Sequence, residues 1–330
     1  MRGYRQSQVL ITCAELRVFE MLQAGPQDAV TLAANKGAHP GSLARLLDAA
    51  AAFGLLDKRD RLYANSALAA ACLVPEGPAY LGNLIRREAA FYRRWSRLTD
   101  AVLSGQRPEE NRQVEQETNW VRGFELALFD VARISGPQIA EALAPFVPAS
   151  ARNASRIAAR VIDIGGGHGG YSVSLARRYP GLEAVVFDLP PVMEVTHEVI
   201  AASGLGERVR AQPGDFKTDP FGSDFDLALL FGVLVSETAA DAVALLGKVA
   251  MALKPGGYVA IRGFYLNAER SGPPDAALFD LHMLLSTGAG SAHTVDELGS
   301  WLAQSGFEPP LTVNIPTELS SLLVARKRSA

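Results

Sequence analysis

The stretch VIDIGGGHGGYS, residues 161–172, is the most informative segment of this sequence. Five glycines occupy the six positions Gly165–Gly170, and His168 is the one interruption. An apolar strand pattern precedes the glycines and a helical pattern follows them. Glycines at such a turn let the backbone approach a ligand closely and adopt positive φ angles. The segment therefore predicts a binding loop between a strand and a helix.

The glycine loop satisfies two binding signatures at once. Gly165, Gly167 and Gly170 spell G-x-G-x-x-G, which is typical of dinucleotide sites. Asp163, Gly165, Gly167 and Gly169 spell D-x-G-x-G-x-G, which is typical of S-adenosylmethionine sites. Both signatures require a strand before the loop and a helix after it, so the loop alone does not choose between the two cofactors.

The second half of the chain alternates short apolar strands with helices. The predicted strand segments are ARVIDI, EAVVFD, RVRAQPGD, FDLALLFG, GYVAIRG, LTVNIP and SLLVARK. This alternation predicts a doubly wound α/β domain with a parallel sheet and helices on both of its faces. In such a domain the ligand lies beyond the carboxyl ends of the strands, where the strand order reverses.

Three acidic positions bear on the choice of cofactor. Asp188 ends the second predicted strand, where a carboxylate accepts hydrogen bonds from ribose hydroxyls of either cofactor. Asp215 can accept from an adenine amine, and Phe216 can lie against the adenine ring. Asp163 would repel a pyrophosphate but suits a sulfonium cofactor that carries an amino group. Together they favour S-adenosylmethionine over NAD.

The first half of the chain has helical periodicity from residue 7 to about residue 145. Between residues 25 and 75 the order is helix, turn, helix and a hairpin that turns at Asp60, which is a winged-helix pattern. The second of these helices offers a single arginine to a DNA groove, so we interpret the module as a dimerisation or lid domain. Prolines and small polar residues predict a linker at 143–156, which gives domains 1–145 and 146–330.

Composition excludes several classes of protein. The 330 residues carry a formal net charge of -3, which predicts no nucleic-acid partner. Cys13 and Cys72 have no metal or redox spacing and are interpreted as buried thiols of a reducing compartment. We expect a cytoplasmic protein without a signal peptide, a membrane span or a metal site.

With these motifs in view, the sequence resembles the small-molecule O-methyltransferases of the caffeic-acid and acetylserotonin type, including bacterial antibiotic-pathway and phenazine N-methyltransferase relatives. The resemblance covers nearly the whole chain and rests on the glycine segment, on GDF, on LKPGGYVAIRG and on DLHMLLSTGAGSAHTVDELGSWLAQSGF. It implies a Rossmann-like class I methyltransferase domain with a seven-stranded sheet and a homodimer formed through the N-terminal domain. It also implies S-adenosylmethionine as methyl donor and an aromatic or heteroaromatic acceptor held between the two domains.

The resemblance also assigns binding residues. The predicted cofactor site consists of Asp163, Gly165, Gly167, His168, Asp188, Leu189, Gly214, Asp215, Phe216 and Phe231. Within it, His168 is expected to contact the cofactor carboxylate or backbone rather than to perform chemistry. The predicted acceptor site consists of Trp120, Phe124, Leu128, Val235, His282 and Leu285.

The sequence departs from the family at the catalytic positions. Members that methylate hydroxyls carry a histidine base in a motif like V-L-H-D-W, but this chain has Val235 at that place. The two glutamates that usually flank the base correspond to Gly263 and Ala292. A base is worth about 10²–10⁴-fold in rate, and a hydroxyl acceptor needs it most. The sequence therefore favours a nitrogen, carbon or sulfur acceptor, or an oxygen that its own ring already ionises.

Three side chains are candidates for a replacement base: His293, His282 and Glu237. His282 is also a candidate acceptor contact, and Glu237 is expected to be a solvated carboxylate at a helix start. Two further hypotheses remain open at this point. The protein could use bound S-adenosylmethionine in hydroxylation, decarboxylation or pericyclic chemistry, or it could be a ligand-sensing winged-helix regulator.

Overall fold

The structure, a computed structural model, describes residues 3–109, 119–153, 156–315 and 320–329. The chain forms two compact units. The first is Met1–Arg93 with Leu126–Val131, and the second is Arg94–Glu125 with Ala132–Ala330. The boundary expected near residue 145 stays a prediction. Of the predicted linker at 143–156, residues 154 and 155 lie outside the described residues.

The first unit has the predicted order of helix, turn, helix and hairpin. The hairpin strands pair antiparallel around Asp60, whose φ is 55°, and a short first strand pairs with the third. Asp28 caps the third helix by accepting from the Thr31 backbone N–H at 2.8 Å. The elements are α1 Gly3–Glu15, α2 Val18–Met21, β1 Gln27–Asp28, α3 Ala29–Lys36, α4 Pro40–Ala52, β2 Leu56–Arg59, β3 Leu62–Asn65 and α5 Ala67–Cys72.

The next helices are α6 Gly82–Trp95, α7 Leu98–Ser104 and α8 Trp120–Ala142. Helix α8 runs for 23 residues although Pro137 lies inside it. These three helices confirm the predicted helical periodicity in this part of the chain, and residues 110–118 lie outside the described residues. Among the described residues, no helix combines the length and the apolar character needed to cross a membrane.

The second unit contains the predicted seven-stranded sheet. Its strands are β4 Ala159–Ile164, β5 Leu182–Asp188, β6 Val209–Pro213, β7 Phe225–Phe231, β8 Leu253–Gly263, β11 Leu311–Val313 and β12 Ser321–Arg326. Two short strands, β9 Tyr265–Leu266 and β10 His293–Thr294, pair with each other in parallel. The order in the large sheet is β11-β12-β8-β7-β4-β5-β6, so the strand order reverses at β4. The glycine loop follows β4 and therefore lies at the predicted position.

The prediction of a parallel sheet is wrong at β12. Thr312 of β11 lies opposite Leu323 of β12, and Leu323 lies opposite Ile261 of β8, with both pairings antiparallel. Strands β11 and β12 are separated by residues 314–320. A connection of this length is too short for the crossover of a dozen or more residues that parallel pairing requires. The sheet is therefore mixed.

The helices between the strands are α9 Gly170–Arg178, α10 Met193–Ser203, α11 Ala239–Ala252, α12 Pro274–Ser286 and α13 Val295–Gln304. An apolar core joins α11 and α13 to the sheet through side chains such as Leu246, Leu302 and Phe307, all fully buried. Thr294 and Glu297 form a capping box at the start of α13. The sheet and these helices hold the loops at the carboxyl ends of β4, β5 and β7 in place.

Candidate functional site

The glycine loop has the backbone conformation that its sequence predicts. Gly165, Gly167 and Gly169 have φ values of 64°, 52° and 72°, a region that favours glycine. A Cβ atom at Gly165 would lie 2.6 Å from Cγ2 of Val233, so a side chain does not fit there. The loop is therefore a cradle formed by backbone atoms.

Hydrogen bonds fix the loop without any ligand. Gly165 donates its N–H to the Phe187 carbonyl at 2.8 Å, and Gly169 donates to the Gly166 carbonyl at 2.9 Å. Thr196 of α10 donates its hydroxyl to the Gly167 carbonyl at 2.6 Å. Because these bonds come from β5, from α10 and from within the loop, the loop backbone is organised for binding.

Asp188 lies at the end of β5, beside the loop. Its Oδ2 accepts from the Gly167 N–H at 2.8 Å, and its Oδ1 accepts from the Leu189 N–H at 2.7 Å. Burial raises the pKa of Asp188 above its ordinary value, although these two hydrogen bonds act in the opposite direction. A carboxylate oxygen can accept more than one hydrogen bond, so both oxygens retain capacity for ribose hydroxyls.

Asp163 lies beneath the loop and is 1% exposed. Its Oδ2 accepts from the Ser172 hydroxyl at 2.8 Å, while its Oδ1 has no hydrogen-bond partner among the described residues. Burial raises the pKa of Asp163 to about 7. The side chain therefore contributes a buried acidic group with unused acceptor capacity under the glycine cradle.

The GDF segment, Gly214–Phe216, directly follows β6 at the carboxyl edge of the sheet. The Lys217 N–H donates to Oδ1 of Asp215 at 2.8 Å, and the Asp215 N–H donates to Asp219 at 2.9 Å. The amine of Lys248 donates to the carbonyl of Phe216. A Cβ atom at Gly214 would collide with the ring of Phe187. Asp215 and Phe216 are half-buried, as expected of residues that meet an adenine ring at a rim.

These observations fit the predicted cofactor. Glycines with positive φ remove the side chains that would block a nucleoside, and Asp188 and Asp215 offer acceptors for hydroxyl and amine groups. The unused oxygen of Asp163 suits a ligand with positive charge better than a pyrophosphate. No described group of three or more His, Cys, Asp or Glu side chains is arranged to hold a metal ion.

His168 participates in the structure of the loop. Its Nδ1 accepts from the Gly170 N–H at 2.9 Å, and burial lowers its pKa to about 3, so the ring is neutral. Tyr171 packs against it and meets Phe231 edge-on with ring centroids 5.1 Å apart. Arg262 donates to the Tyr171 hydroxyl at 2.9 Å. The sequence analysis included neither Tyr171 nor Arg262 in the site.

The resemblance places the family's histidine base at Val235, and this position is apolar and buried. Val235 is buried in a short turn, and its carbonyl accepts from the Ser291 N–H at 3.0 Å. A Cβ atom at Gly263 would lie 3.4 Å from the hydroxyl of Tyr265, so the Tyr265 ring covers Gly263. Ala292 is fully buried in an apolar cluster with Leu266 and Ala276. None of these three positions provides a titratable side chain.

His293 and Glu237 both bond to other protein groups. Nε2 of His293 lies 3.2 Å from the Leu234 carbonyl, Nδ1 lies 3.5 Å from the Ser291 hydroxyl, and burial lowers its pKa. Glu237 is 6% exposed and forms an ion pair of 2.9 Å with Lys217. The expectation of a solvated Glu237 is therefore wrong, because the chain folds Lys217 onto it.

Two predicted acceptor residues of the second unit, Trp120 and His282, are linked by contacts through Arg94 and Ser286, which we call the Arg94 chain. The Arg94 guanidinium, on a residue only 2% exposed, lies 4.5 Å from the centroid of the Trp120 ring. Arg94 donates to the Ser286 hydroxyl at 3.3 Å, and that hydroxyl lies 3.3 Å from Nε2 of His282.

The remaining acceptor candidates are apolar. Phe124 stacks on Trp120 with ring centroids 6.0 Å apart. Leu285 is fully buried, and Leu128 belongs to the first unit. The binding and catalytic roles of the sequence-derived site residues stay predictions.

The sequence analysis missed Glu125 of α8. This carboxylate is buried against the glycine loop, where a Cβ atom at Gly167 would collide with its Oε2. One available signal was an isolated glutamate inside the apolar run FELALF. Residues 125 and 167 are distant in sequence, so the pattern did not reveal their contact.

Both halves of the chain match models of known protein families. A family model of the O-methyltransferase domain matches residues 150–308, and a model of the O-methyltransferase dimerisation domain matches residues 1–75. The chain is 32% identical to 3-hydroxy-5-methyl-1-naphthoate 3-O-methyltransferase of Streptomyces sahachiroi, over 98% of this chain and 92% of that protein. It is 31% identical to the mitomycin biosynthesis 6-O-methyltransferase of Streptomyces lavendulae, over 93% of this chain and 87% of that protein.

Solved structures give the same result. Human N-acetylserotonin methyltransferase in complex with SAM superimposes with a TM-score of 0.86 at 26% identity, covering 99% of this chain and 95% of that one. The structure of PigF with SAH superimposes with a TM-score of 0.83 at 27% identity, covering 99% and 97%. The curated PigF sequence is an S-adenosyl-L-methionine-dependent methyl transferase from Serratia.

Proposed function

The chain belongs to the family of S-adenosylmethionine-dependent O-methyltransferases, and from this premise we propose that it methylates an aromatic or heteroaromatic small molecule of secondary metabolism without a protein base at position 235. The reaction class and the cofactor follow from family membership. The acceptor atom is the new element of the proposal: a nitrogen, a carbon, a sulfur, or an oxygen ionised by its own ring. The regulator hypothesis is set aside because the chain is a transferase.

The cofactor residues have separate tasks. Asp188 would hold the ribose, Asp215 and Phe216 would hold the adenine, and the backbone of Gly165–Gly167 would border the amino-acid portion. When bound, S-adenosylmethionine supplies a methyl carbon activated by the adjacent positive sulfur, which departs as a neutral thioether. The protein's main contribution is then to hold the acceptor in line with that carbon, worth about 7 to 11 kcal/mol at best.

The apolar character of the base position is the observation that carries the proposal. Val235 is buried, Tyr265 covers Gly263, and Ala292 lies in an apolar cluster. Since all three family catalytic positions lack a titratable group, the acceptor's own electron pair must be available at working pH. A neutral ring nitrogen, a thiolate or a stabilised carbanion meets this requirement, whereas an unactivated hydroxyl does not.

The candidates for a replacement base have other bonding partners. Both nitrogens of His293 face protein oxygens, and Glu237 is paired with Lys217. His282 lies near the Ser286 hydroxyl in the Arg94 chain, which suits a contact with the acceptor. These contacts support a role for His282 in acceptor binding and structural roles for His293 and Glu237.

The names of the relatives indicate the acceptor class. They act on a naphthoate, on mitomycin and tetracenomycin intermediates and on acetylserotonin. These names support a ring-containing acceptor for this chain. The dimerisation-domain match supports a homodimer, which sedimentation of the purified protein would test. The cytoplasmic location stays a prediction.

The experiment is to incubate the purified protein with S-adenosylmethionine carrying an isotopically labelled methyl group and with a panel of ring acceptors. The panel pairs each heteroaromatic amine or acidic phenol with an unactivated hydroxyl analogue. We expect label to move to an acceptor of the first kind, with equimolar formation of S-adenosylhomocysteine. If product forms while the cofactor is recovered unchanged, methyl transfer is refuted and the hypothesis of hydroxylation, decarboxylation or pericyclic chemistry is supported.

A further inference from the structure

Helix α8 carries a buried carboxylate that the reaction described above does not use. Glu125 is 7% exposed and lies between the apolar neighbours Phe124 and Leu126 in the sequence. Its Oε2 has no hydrogen-bond partner among the described residues. Burying a carboxylate oxygen without a partner is unfavourable, so its retention calls for an explanation.

The unpartnered oxygen faces the glycine cradle. A Cβ atom at Gly167 would collide with Oε2 of Glu125, so the carboxylate is in direct contact with this glycine. The same Gly167 donates its N–H to Asp188. Two carboxylates from different elements, α8 and β5, thus meet at one residue of the loop.

The surroundings of Glu125 disfavour its negative charge. Burial is the largest cause that raises the pKa of Glu125 to about 7, and the charge of Asp188 adds to it. A hydrogen bond with the backbone of His168 opposes the rise in part, and no described basic side chain does so. A buried carboxylate beside a half-buried one is stabilised when a cation binds between or beside them.

We propose that Glu125 is a cofactor-binding residue that contacts the cationic methionyl portion of S-adenosylmethionine. The proposal joins two facts: the cofactor brings positive charge to the glycine loop, and Glu125 presents an unpartnered oxygen at that loop. It deepens the proposed function and rests on it. Two groups of the cofactor carry positive charge, the sulfonium and the α-ammonium, and the experiment below distinguishes them.

The experiment compares ligand binding to the full-length wild type and to Glu125→Gln by calorimetry. The ligands are S-adenosylmethionine, which has both charges, S-adenosylhomocysteine, which has the ammonium alone, and methylthioadenosine, which has neither. We expect about a tenfold or larger loss of affinity for S-adenosylmethionine, the effect of losing one charge-assisted contact, with methylthioadenosine unchanged. An equal loss for S-adenosylhomocysteine identifies the ammonium; no loss identifies the sulfonium.

Glu141→Gln is the matched control, because Glu141 lies on the same helix in an exposed ion pair with Arg178. This control should bind all three ligands as the wild type does. Thermal unfolding of the free proteins tests folding, and Glu125→Gln should be at least as stable as the wild type. Undiminished binding of S-adenosylmethionine by Glu125→Gln overturns the inference, as does an equal loss for methylthioadenosine. Failure of the wild type to bind S-adenosylmethionine would instead refute the proposed function.

Discussion

The carbonyl of Val235 accepts a hydrogen bond from the Ser291 N–H at 3.0 Å. This bond joins the turn at which the resemblance predicts a histidine base to the segment at which it predicts a supporting glutamate, here Ala292. Ala292 is held in turn by Asp280, which accepts its N–H at 2.7 Å. The two segments are therefore fixed together, with the apolar side chains of Val235 and Ala292 at the positions predicted for the base and its support.

Introducing a histidine at position 235 tests whether a base is needed. We expect Val235→His to leave the methyl-transfer rate on the natural acceptor unchanged or lower, because Gly263 and Ala292 offer no carboxylate to orient the imidazole. Single-turnover measurements at saturating cofactor report this rate directly. Val235→Asn is the control for a polar side chain without a base. A rise with histidine alone, toward the 10²–10⁴-fold that a general base supplies, would mean that the acceptor is an unactivated hydroxyl.

A side chain at Gly167 tests the glycine cradle. Gly167→Ala combines a φ of 52° with a collision against Glu125, so we expect loss of S-adenosylmethionine binding and lower stability. Gly204→Ala is the control, because Gly204 has a φ of 71° and no atom within 4 Å of its Cβ position. Backbone strain alone costs about 1–2 kcal/mol. Denaturant unfolding should give that loss for Gly204→Ala and a larger one for Gly167→Ala; equal losses would contradict the collision.

The buried carboxyl groups predict how the stability of the free protein changes with pH. Burial raises the pKa of both Glu125 and Asp163 to about 7, above their values in the unfolded chain. Burial lowers the pKa of His168 and His293, so these two histidines add stability as pH rises from about pH 4 to about pH 7. In this range Glu125 and Asp163 instead bind more protons in the folded than in the unfolded state, so their contribution to stability falls as pH rises. The pKa of Asp188, which faces Glu125, is also raised, and it contributes in the same direction.

Melting temperatures across this pH range, measured without ligand, check the pH prediction. Between about pH 4 and pH 7 Glu125→Gln should lose less stability than the wild type, or gain more, because it removes one group whose contribution falls as pH rises. Glu141→Gln should follow the wild type. A pH dependence of Glu125→Gln identical to that of the wild type would contradict the assignment of a raised pKa to Glu125.

The sequence predicted the parts of the fold that are encoded locally. The loop conformation at Gly165, Gly167 and Gly169 follows from residues that no other type replaces easily at positive φ. Strand β7 and the centre of β5 are apolar runs, which are typical of a sheet buried on both faces. The direction of β12 depends instead on a short connection and on its pairing with β8, which apolar patterning does not report.

Contacts between segments that are distant in the sequence were not predicted either, because local patterns do not report tertiary contacts. The place of Glu237 at a helix start predicts a solvated carboxylate, yet Lys217 pairs with it and it is buried. Glu125 gave no sequence signal of its contact with Gly167. Charged side chains in buried positions depend on tertiary partners, and a single sequence does not list those partners.

The central claim is that the acceptor atom attacks the methyl group without a protein base removing its proton. Its most direct test is the NMR assignment of the acceptor atom that receives the isotopically labelled methyl group. The account predicts that this atom is a ring nitrogen, a carbon, a sulfur, or an oxygen already ionised in the free acceptor at the working pH. A labelled ether on a hydroxyl that is neutral in the free acceptor would contradict it.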